Sequence, residues 1–163
     1  MARKVFFSFH YDRDHWRASQ VRNMGVVEKN PLASDNEWEA ITSGGTAAIE
    51  KWINEQMSDR TCAIVLIGAN TAGRKWINYE IVKAWNDGKG LFGIYIHKLK
   101  NKDGIQTTKG RNPFDEVTFS GGAALSTVVP AYDPLGAQST DVYAYISYNL
   151  SDWVERAIAA RKT

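Results

Sequence analysis

Little in this chain invites metal or disulfide chemistry: its 163 residues hold one cysteine, three histidines and four prolines. A lone cysteine rules out an internal disulfide. Cys62 lies inside an apolar run, so it reads as a small buried hydrophobe in a reducing compartment. His10, His15 and His97 are scattered without zinc-ligand spacing, so no metal site is expected, and each reads as a surface or packing histidine. Charge of either sign is also missing in excess: 20 basic and 18 acidic residues leave a net +2, too balanced for a nucleic-acid or acidic-membrane partner. Arg13, Arg17 and Arg22 cluster early and are expected on the solvated face of a helix. No apolar stretch approaches the ~18 residues a membrane span needs. The opening Met1-Ala-Arg-Lys4 runs directly into Val5–Phe9, which predicts neither a signal nor a transit peptide and hence a cytoplasmic protein.

What is present is an α/β pattern. With 44% apolar and 12% aromatic residues, the chain has enough material for one domain with a sizeable core and too little for two. Val5–Phe9, Thr61–Gly68 and Leu91–His97 are short continuous apolar runs, as expected of strands buried on both faces. A helix is predicted after the first run, capped by Asp12 or Asp14 and reaching Val21 or Met24. Gly25-Val-Val27 opens a weak strand, and residues 30–45 read as loop. From Thr46 a helix buries Ile49, Trp52, Ile53 and Met57. Another starts after Gly73 and ends at Asp87-Gly88. Such alternation predicts a mostly parallel sheet with helices on both faces. The last third departs from it, with an irregular insertion at about 98–134. Within the insertion, Gly110-Arg-Asn-Pro-Phe-Asp115 has turn chemistry and Leu125–Val129 reads as one more strand. A closing helix over about 140–161 has Tyr143, Ile146, Leu150, Trp153, Val154, Ala157 and Ile158 on one stripe.

The familiar nucleotide motifs fail. Gly68-x4-Gly73 follows a strand and opens a helix, but Arg74 stands where a P-loop needs Lys, and Trp76 stands at the hydroxyl position. No G-x-G-x-x-G follows the first strand. A receiver domain needs an Asp at the end of the central strand, where Gly68-Ala69-Asn70 has none. The helix after Gly73 carries Ile77, Ile81, Ala84 and Trp85 on its apolar stripe, and Glu80 falls at the stripe's margin beside Trp76. A carboxylate there is partly desolvated. It is either paired structurally, with Arg74, Lys83 or a backbone group, or kept for function.

One carboxylate at the carboxyl edge of a parallel sheet, with aromatic and amide-bearing residues such as Trp76 and Asn70 nearby, suits cleavage at an anomeric carbon. Such bonds break through an oxocarbenium-like state that a carboxylate stabilises. Most sugar hydrolases need a second acid for the leaving group. Nicotinamide, cationic while attached, does not, so a single Glu suffices for an NAD-type substrate.

Lys4-Val-Phe-Phe-Ser-Phe-His-Tyr11, Cys62-Ala-Ile-Val-Leu-Ile-Gly68, Arg74-Lys-Trp-Ile-Asn-Tyr-Glu-Ile81, Gly93-Ile-Tyr-Ile-His97 and Gly110-Arg-Asn-Pro-Phe-Asp115 together resemble the TIR-like domain family of the Thoeris anti-phage protein ThsB. The resemblance spans most of residues 3–115 and does not extend over 117–134. It implies a flavodoxin-like sheet. It also implies an enzyme that consumes NAD, as substrate and without a further cofactor, to make a cyclic or conjugated ADP-ribose signal that activates a partner effector. By the resemblance Glu80 matches the catalytic glutamate, and Ser8, Phe9, His10, Asp35, Trp38 and Asn112 match pocket positions. Two other readings stay open. One is a non-catalytic, self-associating TIR-type interaction module, for which Tyr79 and Val82 would give the Glu80 helix a second apolar face. The other is a nucleoside deoxyribosyltransferase, which pairs a similar fold with a glutamate nucleophile.

Overall fold

The computed structural model of the chain describes residues 3–25, 27–29 and 41–162. Five parallel strands form its sheet: β1 (Lys4–Ser8), β2 (Glu28–Lys29), β3 (Cys62–Ile67), β4 (Gly90–Tyr95) and β5 (Ala131–Tyr132). Their spatial order is β2-β1-β3-β4-β5. Among the described residues the sheet is accompanied by α1 (Tyr11–Arg22), α2 (Thr46–Met57), α3 (Lys75–Asn86) and α4 (Ser139–Ala160).

Every residue of β3 and β4 is buried, which explains why these strands read as unbroken apolar runs rather than alternating ones. The period of two along each strand separates two cores. Val5, Phe7, Cys62, Ile64, Leu66, Phe92 and Ile94 pack with Ala18 and Val21 of α1 and with Ile146, Leu150, Trp153 and Val154 of α4. On the other face Phe6, Ala63, Val65, Ile67 and Leu91 pack with Ile49, Ile53 and Met57 of α2 and with Ile77, Ile81 and Ala84 of α3. By the same alternation Ser8 belongs to the face that carries α3. The chain runs from β1 outward to β2 and then crosses to β3 on β1's other side, so α1 and α3 leave neighbouring strands toward opposite faces. That reversal opens a crevice at the carboxyl ends of β1 and β3.

Several expectations are corrected. Neither Asp12 nor Asp14 caps α1; His10 holds the cap position without a side-chain cap bond, and both acids fall in the first turn. Arg17 and Arg22 are not on a solvated face, being 4% and 3% exposed. Arg17 donates to the carbonyls of Leu99 and Ile105 at 2.7 and 2.8 Å, so α1 anchors the polar segment that follows β4. The Arg22 guanidinium lies 5.7 Å from the Phe7 ring centre, and burial pulls its pKa down to about 10. Leu125–Thr127 is a 3-10 turn, not a strand; the sheet's last strand follows Pro130, whose carbonyl accepts from Gly93 N–H at 2.9 Å. Proline, lacking an N–H, suits that edge position. On α4 Val142 is buried and Tyr143 is exposed, one position away from the expected stripe. The weak strand expected from Gly25 is observed at Glu28–Lys29. Cys62 is fully buried and its thiol is pushed up to about 12, chiefly by burial, as expected of an inert side chain.

Between β4 and β5 the chain replaces a crossover helix with two 3-10 turns, Pro113–Glu116 and Leu125–Thr127, whose Phe114, Val117 and Leu125 join the core beside α3. A Cβ on Gly110 would collide with the backbone of Gly68 and Ala69. Only glycine lets this segment close against the end of β3.

Candidate active site

Two turns build the crevice. After β1 the chain presents Phe9, His10, Tyr11 and Asp12; after β3 it presents Gly73, Arg74, Lys75, Trp76 and Ile77, with Glu80 one turn further along α3. Gly73 adopts φ 83°, a left-handed conformation that turns the chain into α3 at little steric cost. Thr42 and Ile53 close the side nearest α2, and the whole encloses about 480 Å³.

Glu80 is 8% exposed. The expected partners, Arg74, Lys83 or a backbone group, are not what it finds. Its Oε1 accepts from the Ser8 hydroxyl at 2.6 Å, across the 72 residues of sequence that separate β1 from α3. Among the described residues no ion pair reaches Glu80; the cations Arg74 and Lys75 lie at the exposed start of the helix. Burial in apolar surroundings therefore pushes its carboxyl up to about 8, against the smaller downward pull of the Ser8 bond. A carboxyl with that pKa is predominantly protonated at pH 7.

His10 is half-buried at the mouth. Burial first, then the charges of Arg74 and Arg13, push its pKa below the usual imidazole value, against Asp12. Phe9, Tyr11 and His15 form a stacked series, with centroid separations of 6.3 and 5.2 Å. The Trp76 ring carries Lys75 Nζ 4.9 Å from its centre and meets Tyr79 edge-on. Arg74 donates from Nε to the Asn70 carbonyl at 2.8 Å. No acidic residue occupies the first turn of α3; two cations stand at the positive end of a helix dipole, an arrangement that an anion relieves.

Of the site residues expected from sequence, the structure brings together Ser8, Phe9, His10, Trp76 and Glu80. Asn70 is not with them. It is exposed and borders a separate polar cleft of about 150 Å³ beside Arg13, Asp14 and Arg17, because the loop after β3 turns away before α3 begins. Asn112 does not line the cavity either. Its Oδ1 accepts from Phe114 N–H at 3.0 Å and caps the first 3-10 turn, as an Asn ahead of Pro does. Asp35 and Trp38 lie outside the described residues. Of the other cavity residues, the sequence places Tyr11 with His10 at the carboxyl end of the first strand, where ligands bind in parallel sheets, and Arg74 and Lys75 at a helix start that attracts an anion; Asp12, read there as a helix cap, lines the cavity instead.

A parallel α/β sheet with one uncompensated buried glutamate at its switch point, opposite a serine from the first strand, defines a TIR-like domain. Residues 6–101 match the family described as Thoeris protein ThsB, TIR-like domain, and the chain belongs to that family. It is 38% identical over 124 residues to a protein of Bacillus cereus (strain MSX-D12) named "Putative cyclic ADP-D-ribose synthase ThsB1". The alignment covers 73% of this chain, and the chain spans 65% of that relative's length.

Proposed function

We propose that this protein is an NAD-consuming enzyme of anti-phage defence. It breaks the bond between nicotinamide and ribose and passes the ADP-ribosyl group on to form an ADP-ribose-derived signal, a cyclic one by analogy with the relative's name. The observation that carries this reading is Glu80, buried against a neutral hydroxyl, without a countercharge among the described residues, in a cavity of nucleotide scale. Glu80 faces the ribose, and Phe9 and Trp76 supply aromatic walls for flat rings. The start of α3, with Arg74 and Lys75, offers positive charge to the diphosphate. From residue 75 to 80 a helix rises about 7.5 Å, the scale of a ribose 5′-phosphate.

Entry of the cationic nicotinamide riboside moiety supplies the opposite charge that Glu80 lacks, so the carboxyl ionises as substrate binds and its proton leaves through the mouth. The glycosidic C–N bond then breaks, and nicotinamide departs neutral with the electron pair. The carboxylate stabilises the oxocarbenium ion that remains. NAD is the substrate in this scheme, and no metal or other cofactor takes part. No described helix is long and apolar enough to cross a membrane; we place the enzyme in the cytoplasm, where NAD and an effector switched on by the diffusible product are at hand. Assembly into homo-oligomers belongs to the same proposal.

The test is mass spectrometry of small molecules from phage-challenged cells expressing the wild-type chain or Glu80→Gln at equal levels. An ADP-ribose-type species confined to wild type is expected, with the variant reduced by about 10²-fold or more. Equal profiles would overturn the enzyme reading in favour of a docking module, and activity on deoxynucleosides but not on NAD would mark a deoxyribosyltransferase.

A further inference from the structure

Once the glycosidic bond has broken, capture of the cation by a hydroxyl group, whether of water or of the substrate itself, releases a proton that something must accept. While the cation persists, Glu80 is its counter-ion and accepts from Ser8; it regains a proton only after the positive charge is quenched. Among the described residues, the other ionisable groups that line the cavity are His10, Tyr11, Asp12, Arg74 and Lys75. A guanidinium or an ammonium group donates and has no lone pair to accept with, a phenol oxygen is a poor base, and Asp12 borders the cavity exposed to solvent rather than held within it. That leaves one imidazole.

His10 holds the cap position of α1 and its side chain makes no cap bond; its carbonyl accepts the first intrahelical bond, from Asp14 N–H at 2.9 Å. Its ring is therefore left to the cavity. Among the described residues, the charged groups that act on it are Asp12 and Arg13 from α1 and Arg74 from the start of α3, with Lys75 and Glu80 lining the same cavity. Thr42 and Ile53, on the α2 side, bring no charge. The amino end of α1 also directs its positive dipole at residue 10, which disfavours an imidazolium there. Burial and the two arginines act in the same direction, so the ring is held neutral, with one nitrogen able to accept.

Resting on the NAD reading above, we infer that His10 is the general base of the transfer step, taking the proton of the hydroxyl group that attacks the anomeric carbon. In that step a C–O bond forms at the carbon that nicotinamide has left, the acceptor O–H breaks, and its proton moves to the free ring nitrogen of His10. Nitrogen nucleophiles that carry no proton need no such help.

This difference is the test. The full chain, with Glu80→Gln as blank, is assayed in lysates of phage-challenged cells with NAD, once with methanol as a hydroxyl acceptor and once with 3-acetylpyridine, whose ring nitrogen attacks unaided. His10→Asn is expected to lower the ratio of methyl ADP-ribose to pyridine-exchange product by about 10²-fold relative to wild type. Wild-type methanol transfer also falls toward acid pH as the imidazole protonates, a limb that His10→Asn lacks. Equal loss of both reactions, or loss of neither, would overturn the assignment while leaving Glu80's role intact. Absence of both reactions in wild type would overturn the NAD reading, and this inference with it.

Discussion

Two buried carboxylates stand at the same edge of the sheet on opposite faces, and they are built differently. Asp14 of α1 is 1% exposed and pairs with Arg17 at 3.1 Å. It sits against Gly68, where any Cβ would collide with its carboxylate. Glu80 of α3 is also buried, at 8% exposure, and among the described residues its hydrogen-bond partner is a serine hydroxyl. Burial pushes both pKa values up. For Asp14, Arg17 pulls back; for Glu80, no charge does. Burial of an acid is thus no sign of catalysis by itself. An acid with a countercharge in place holds the fold together, whereas one that lacks a countercharge is poised for a cation supplied from outside.

That contrast can be broken at its strongest point first. Arg17→Ala should cost about 3–5 kcal/mol of unfolding free energy, because it strands Asp14 and the Leu99 carbonyl in the interior; urea denaturation followed by circular dichroism measures it. A loss below about 1 kcal/mol, the usual worth of an exposed pair, would mean that the pair is not structural. Glu80→Gln should move stability the other way. Glu80 is protonated in the fold up to about pH 8 and ionised in the unfolded chain above about pH 4.5, so the folded state binds the extra proton and stability falls as pH rises between those values. Removing the acid abolishes that penalty. The variant should match wild type near pH 4 and exceed it at pH 8 by on the order of 3 kcal/mol, read as a gain in thermal midpoint alongside lost turnover. A pH-independent difference would show that Glu80 is not buried as a neutral acid.

The smallest effect sharpens the comparison further. Ser8→Ala removes the one bond that lowers Glu80's pKa, so the carboxyl should ionise at still higher pH. Turnover at neutral pH should drop by about tenfold, for a bond worth about 1–2 kcal/mol to a charged acceptor. A pH–rate profile displaced to the alkaline side is the expected result. An unmoved profile would make Ser8 a mere neighbour.

Much of this was legible before any coordinates. The three buried strands, the α2 and α3 helices and the inert cysteine follow from hydrophobic periodicity, which reports faithfully where a segment buries one face or both. Where the reading failed, a local signal was outweighed by a distant partner. Arg17 and Arg22 look like surface residues on a helical wheel, yet carbonyls 82 and 88 residues away capture Arg17, and the Phe7 ring packs against Arg22. Leu125–Val129 has a strand's composition, yet its backbone closes on itself as a turn. Asn112 has the chemistry of a ligand and is spent on a cap.

By itself, then, the sequence determined the α/β class, the burial of β1, β3 and β4, and the placement of Glu80 beside an apolar helical stripe, because each depends on spacing within a single element. Only the tertiary structure decided that Ser8 rather than a cation would meet Glu80, that His10 and Trp76 would share its cavity while Asn70 and Asn112 would not, and that Asp14 would be neutralised on the opposite face. Those outcomes depend on which faces two adjacent strands send their helices toward, and that is settled by the crossing of the chain at the middle of the sheet, not by any local run of residues.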